Sequence, residues 1–295
     1  MSRAESVQAG SLSVKVTVFN ISVLLGVVSL GFIAASAYFS STVHRSQLWF
    51  RHIFSWIVYS VAFLFLIGHQ GGSNPPFGLC FFQSALIYAV PTYPTLSALA
   101  FVADLYIRLS AIICNKRKIH PSFTKFLVTF PPIVLLAVFI EAMVSVQDPT
   151  VVELEGNLLY CHVSSSQPTL VSSYIIIIAG IIIFPLEIWI AVMLYRNWRQ
   201  FRSSSGPDQK LFLTMFIRVV LFTIISMAGV GLSSLSLGAP NGIKPYWTRL
   251  VLTIVPIIAA ITFGTQEDIM RSWIFWREAP VTDSEAPKNE AYPNI

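Results

Sequence analysis

Residues 169–195 read TLVSSYIIIIAGIIIFPLEIWIAVMLY. Glu187 is the only charge in that run. Wound as a helix at ~1.5 Å per residue, the segment is longer than the ~30 Å hydrocarbon core of a bilayer. A soluble core does not need so much uninterrupted apolar sequence. The whole chain agrees: 55% of its 295 residues are hydrophobic and 11% are charged, against about 25% charged in ordinary soluble domains. A formal charge of +5 is then not a nucleic-acid signature. In a membrane protein the placement of the basic residues matters more than their sum.

Working outward from 169–195, apolar runs of similar length recur at about 16–40, 49–68, 79–114, 126–147, 211–237 and 247–265. The sequence therefore predicts an all-α bundle of seven transmembrane helices. The third run is long enough to tilt, or to project beyond the membrane. Turn chemistry marks the breaks: HQGGSNPPFG at 69–78, NKRKIHP at 115–121, FRSSSGPD at 201–208 and GAPNG at 238–242. Strict period-2 alternation is absent, which argues against a β-barrel. Pro91, Pro94, Pro131, Pro132, Pro185 and Pro256 fall inside spans, where they are expected to bend the helices.

Lysine and arginine set the orientation. The first, third and fifth connections hold Arg45, Arg51, Lys116, Arg117, Lys118, Lys125, Arg196, Arg199, Arg202 and Lys210, and the other three hold only Lys244. The positive-inside rule then puts the N-terminus outside. The basic loop residues Lys116, Arg117, Lys118, Arg199 and Arg202 are expected on the cytosolic face, where they fix topology or meet a G protein or anionic lipid. In this topology Cys80 opens the third span and Cys161 sits in an outer loop, both on the oxidising side. A disulfide between them is expected, the alternative being two free thiols.

The rivals among seven-helix proteins can be tested on residues. The last span, LVLTIVPIIAAITFGT at 250–265, has no lysine for a retinal Schiff base. His44, His52, His69, His120 and His162 read as loop or span-end residues, so a metal-hydrolase cluster is not expected. A transporter remains open: its usual sign is an acidic or broken helix at the midplane, and the one candidate, Glu187, two residues after Pro185, lies at an inner and not a central depth. No catalytic constellation is visible, and no cofactor or metal is implied.

The final apolar segment carries a resemblance. FGTQEDIMRSW at 263–273 is similar to the segment closing the seventh helix of fungal pheromone receptors of the lipopeptide-binding (a-factor) type. The cysteine opening span three, YC at 160–161 and FIRVVLF at 216–222 resemble the same family. That likeness implies a plasma-membrane G-protein-coupled receptor with an extracellular peptide or lipopeptide ligand of unassigned identity, and a heterotrimeric G protein as partner. Residues 1–277 would form the receptor domain, ending in a short interfacial amphipathic helix after Gly264, where Ile269, Trp273 and Trp276 recur at helical spacing. Residues 278–295 would be a disordered cytoplasmic tail. A ligand is expected among the outer halves of the spans, where Gln83, Tyr88 and Tyr93 are candidate lining residues.

Four charges lie in the inner halves of spans: Asp104 and Arg108 in the third, Glu187 in the fifth and Arg218 in the sixth. Counting from the span ends puts Glu187 and Arg218 both ~12 Å from the cytoplasmic edge. Charges there are expensive unless paired. The expectation is one ion-pair network, either a lock that activation breaks or a static one. Arginines snorkelling separately to the headgroups are the other alternative.

Overall fold

The computed structural model of the chain describes residues 3–40, 43, 45–70, 75–114, 121–146, 152–154, 159–163, 167–198, 207–238, 245–266, 269–270 and 273. The helices are α1 (Arg3–Phe39), α2 (Gln47–Leu64), α3 (Phe77–Ala89), α4 (Thr92–Cys114), α5 (Pro121–Val144), α6 (Gln167–Arg196), α7 (Pro207–Gly238) and α8 (Pro245–Gly264). Two three-residue strands, β1 (Val152–Leu154) and β2 (Cys161–Val163), pair antiparallel between α5 and α6, with Glu153 opposite His162. The described elements are otherwise helical, in keeping with the all-α expectation, and this small hairpin is an addition to it.

Four helical stretches are long and apolar enough to cross a membrane by length and composition: Ser13–Phe39, Phe77–Ala111, Ser122–Val144 and Gln167–Arg196. Shorter apolar stretches cover Phe212–Ala228 and Leu250–Gly264. The outward faces match. Val28, Ile133, Ile181 and Ile188 are each more than 60% exposed, and a soluble monomer rarely shows apolar surface this extensive. A bilayer removes the penalty, because lipid tails solvate these side chains and every helix satisfies its own backbone.

The third apolar run is two helices, not one. Pro91 has no N–H to give to the carbonyl one turn back, so the ladder stops there. The break is repaired locally. Val90 N–H still donates to Leu86 (2.9 Å), Tyr93 N–H reaches only three residues back to Val90 (3.2 Å), and the Thr92 hydroxyl donates to Ala89 O (2.7 Å). Pro131, Pro132, Pro185 and Pro256 lie within helices that continue through them.

α1 packs against α2 and α8, α4 against α2, α5 and α6, and α7 against α8. Small residues permit the closest approaches, as they do wherever helices meet without a hydrophobic drive. A Cβ at Gly26 would lie 3.1 Å from Pro256 Cβ, and one at Gly264 only 2.6 Å from Ile33 Cδ1. After α8 the chain turns back on α1. Ile269 is buried, and the Trp273 indole donates to Ser36 Oγ (2.9 Å) with its ring 5.3 Å from Phe32. The expected interfacial segment thus has Ile269 and Trp273 packed on the bundle. Trp276 and residues 278–295 lie outside the described residues.

Candidate ligand cavity and the inner charges

At one end of the bundle the β1–β2 hairpin is bonded to α3. Cys80 and Cys161 form a disulfide with their Cα atoms 5.3 Å apart. Gln83, wholly buried, works beside it: its Nε2 donates to Ala62 O on α2 (3.3 Å), and its Oε1 accepts from Cys161 N–H (3.1 Å). One helical turn on, the Tyr88 hydroxyl donates to Val163 O (3.1 Å) and accepts from Val163 N–H (3.2 Å). Gln70 donates to Leu159 O (2.7 Å) and accepts from Asn20 Nδ2 (2.6 Å), tying the same segment to α1. Buried backbone groups must find partners, and in this segment side chains from α3 and the end of α2 supply them.

Under the hairpin lies a cavity of about 280 Å³. Tyr160 covers it, with its ring edge-on to Phe63 at 5.9 Å. Tyr59, Tyr88, Ser172, Thr223 and Ser226 bring hydroxyls to walls that are otherwise mostly apolar. Apolar walls with a few converging polar groups are the usual build of a small-molecule site. Of the three expected lining residues, only Tyr88 lines it. Gln83 is instead a pin for Cys161, and Tyr93, 2% exposed, has its hydroxyl beside the Arg51 guanidinium.

The cavity floor is aromatic. Trp56 and Phe222 line it from α2 and α7, with ring centroids 5.4 Å apart. Beneath them His52, 2% exposed, stacks on Phe101 of α4 at 6.1 Å and meets Phe263 of α8 edge-on at 5.4 Å. Trp56 Nε1 donates to His52 Nε2 (3.3 Å), which leaves the proton of a neutral ring on Nδ1, an atom with no hydrogen-bond partner. His52 lies in the second turn of α2, near the span end as expected, and is buried where α2, α4, α7 and α8 meet. The sequence held a signal for it in the HIFSW spacing, which puts His52 and Trp56 on one helical face.

The four inner charges are distributed differently from the single network that their equal depth suggested. Arg108 Nε bonds Asp104 Oδ2 at 2.7 Å within α4; the carboxylate is buried and the guanidinium half exposed. Glu187 on α6 is 4% exposed and lies beside Thr223 of α7. Arg218 on α7 reaches the end of α8, donating to Thr262 O, to Thr265 Oγ1 (2.7 Å) and to Thr265 O (2.9 Å). A cation on the last carbonyls of a helix is favoured by the helix dipole. Among the described contacts, then, the hydrogen bonds of these groups run within α4 and from α7 to α8, while Glu187 of α6 lies beside Thr223 of α7. Lys116, Arg117, Lys118, Arg199 and Arg202 lie outside the described residues.

No protein-family model matches the chain, and no curated protein matches it.

Proposed function

We propose that the chain is a seven-span G-protein-coupled receptor, N-terminus outside, resembling the fungal lipopeptide pheromone receptors. An extracellular-side ligand fills the cavity under the hairpin, and a heterotrimeric G protein engages the basic inner loops. The observation that carries this reading is the shared floor. Trp56 and Phe222 touch the cavity and also pack on the His52 cluster, which joins four helices. A ligand that displaces either ring acts on α2, α4, α7 and α8 together. On this reading Arg218 holds α7 to α8 in the resting state, and activation loosens that contact. A ligand shifts such an equilibrium only by its differential affinity for the two states, and a floor that changes shape supplies that difference.

One observation favours a transporter as the second reading: Glu187 stands just beyond the cavity floor, on the way to the opposite end. The experiment is G-protein activation in a reconstituted cell, without ligand and across a ligand screen, alongside uptake of the same compounds. Ligand-dependent activation supports the receptor, and uptake without activation supports the transporter. Orientation is tested with Ile119→Cys, which should react with an impermeant reagent only after the membrane is permeabilised. Labelling in intact cells reverses the proposed topology.

A further inference from the structure

On the α6–α7 side the wall of the cavity is one residue thick from each helix. Ile183 of α6 and Thr223 of α7 line it there. One turn along α6 stands Glu187, its carboxyl beside Thr223. Glu187 is also part of the wall of a second space, about 320 Å³, between α6 and α7. Phe184, Ile188, Val220 and Leu221 make that wall apolar. Ala191, Phe216 and Ile217 also line a third space, about 870 Å³, whose wall includes Arg196 and Trp198 at the end of α6. Nearer the hairpin α7 does reach α6: a Cβ at Gly180 would lie 2.9 Å from Met227 Cε. Beyond that crossing the two helices leave a slot, whose lips Ile188, Ile217 and Leu221 are exposed on the lipid-facing surface.

Glu187 sets the chemistry of the slot. It is 4% exposed, and its Oε1 has no hydrogen-bond partner. A carboxyl oxygen left unpaired among apolar side chains is costly. A plain acyl chain in the slot leaves it unpaired, whereas an O–H group satisfies it. The lining of the cavity beyond contains no Lys, Arg, Asp or Glu among the described residues. A charged head group would lose its hydration there with no counter-charge to meet. A hydroxyl instead finds partners in Thr223, Ser226 and Ser172 along the way.

We propose that the slot between α6 and α7 is a lateral entrance: an uncharged apolar-chain alcohol dissolved in the bilayer passes through it into the cavity, and Glu187 accepts its O–H at the threshold. This rests on reading the cavity as a ligand site and is independent of coupling to a G protein.

The test uses the full chain in lipid nanodiscs and ω-bromoundecanol as probe, because bromine quenches tryptophan fluorescence at close range. The methyl ether of the same bromoalkyl chain is the comparison, since it keeps the chain and lacks the donor. Trp56 reports arrival in the cavity, and Trp56→Phe subtracts quenching of the lipid-exposed tryptophans. The expected result is a saturable Trp56 component for which the alcohol has at least a tenfold lower half-saturation than the ether. Glu187→Gln, whose amide carbonyl still accepts, should keep that preference, and Glu187→Leu should abolish it. Val220→Phe, which fills the slot, should slow the onset of Trp56 quenching about tenfold while leaving its final extent unchanged. Equal half-saturations for alcohol and ether in the wild type would overturn the role of Glu187. An unchanged onset in Val220→Phe would overturn the entrance. If Glu187→Leu does not fold, the wild-type alcohol–ether comparison and Val220→Phe decide the matter. Absence of any Trp56 component, in a protein that activates its G protein with another ligand, would sink this inference and leave the receptor reading standing.

Discussion

At the hairpin end, a covalent bond, Gln83 and Tyr88 fix one short strand to α3 from three successive positions along the helix. At the other end, α4, α6 and α7 each carry a buried or half-buried ionisable group, yet these go to separate neighbours: Arg108 bonds within its own helix, Glu187 lies beside Thr223, and Arg218 bonds Thr262 and Thr265. The first arrangement is redundant, because loss of any one contact leaves the others in register. The second is not: the Arg108 bond stays within α4, and Arg218 alone supplies the described side-chain hydrogen bonds from α7 to the end of α8. A bundle built this way should keep its hairpin end fixed and change shape at the opposite end, where the bonds of one side chain, Arg218, tie α7 to the end of α8.

The largest effect should come from the disulfide. Removing a native bridge from a small domain typically costs 2–5 kcal/mol, and this one spans 81 residues of sequence. Cys80→Ser and Cys161→Ser should lower surface expression to similar degrees. The double variant should be no worse, since one bond is lost each time. Additive losses would break the comparison at its firmest point.

Gln83 comes next. Gln83→Met keeps the volume but leaves Cys161 N–H buried without its acceptor, a loss of about 1–3 kcal/mol. Thermal stability should fall with ligand affinity little changed, as befits a pin outside the cavity lining. A large loss of ligand binding at unchanged stability would return Gln83 to the ligand site, where the sequence alone had put it.

Much of the fold is legible in the sequence because membrane spans announce themselves by length and lack of charge, as 169–195 does. The cysteine pairing was legible once the topology was drawn. What escaped did so for physical reasons. A three-residue strand is too short to show period-2 alternation, so β1 and β2 left no trace. The prolines of the third span predict a bend, but the full break at Val90–Pro91 depends on Thr92 and Tyr93 finding other partners. The cavity walls are aromatics and hydroxyls from α2, α6 and α7, which look like ordinary packing residues until the helices are placed. Equal depth along three helices says nothing about azimuth. That is why, among the described contacts, the four inner charges, so close in level, are not joined as one network.

Arg218→Gln tests the inner end directly. It removes a charged donor from the end of α8 while leaving the hairpin end untouched. Weakening the α7–α8 contact by about 1.4 kcal/mol would raise the open/closed ratio about tenfold, read as ligand-free G-protein activation per receptor at the surface. Thr265→Val removes one of the acceptors and should give a smaller rise. The pair should be less than additive, because both act on one contact. Basal activity equal to wild type in a well-folded Arg218→Gln protein would mean that this end is as static as the other.

The smallest effect on ligand-free activation should belong to Asp104 and Arg108, although they form a short ion pair. The two sit one turn apart on the same helix, so the bond joins no two elements and holds no helix to another. The guanidinium is 49% exposed and the carboxylate only 4%. Asp104 is the sensitive partner, being almost fully buried. Arg108→Gln alone should therefore destabilise more than Asp104→Asn, because it strands a buried carboxylate. The double variant should recover most of the loss, and neither change should raise ligand-free activation as Arg218→Gln does. If Arg108→Gln raised it as strongly, α4 would belong to the moving contact, and the charges would act together across helices after all.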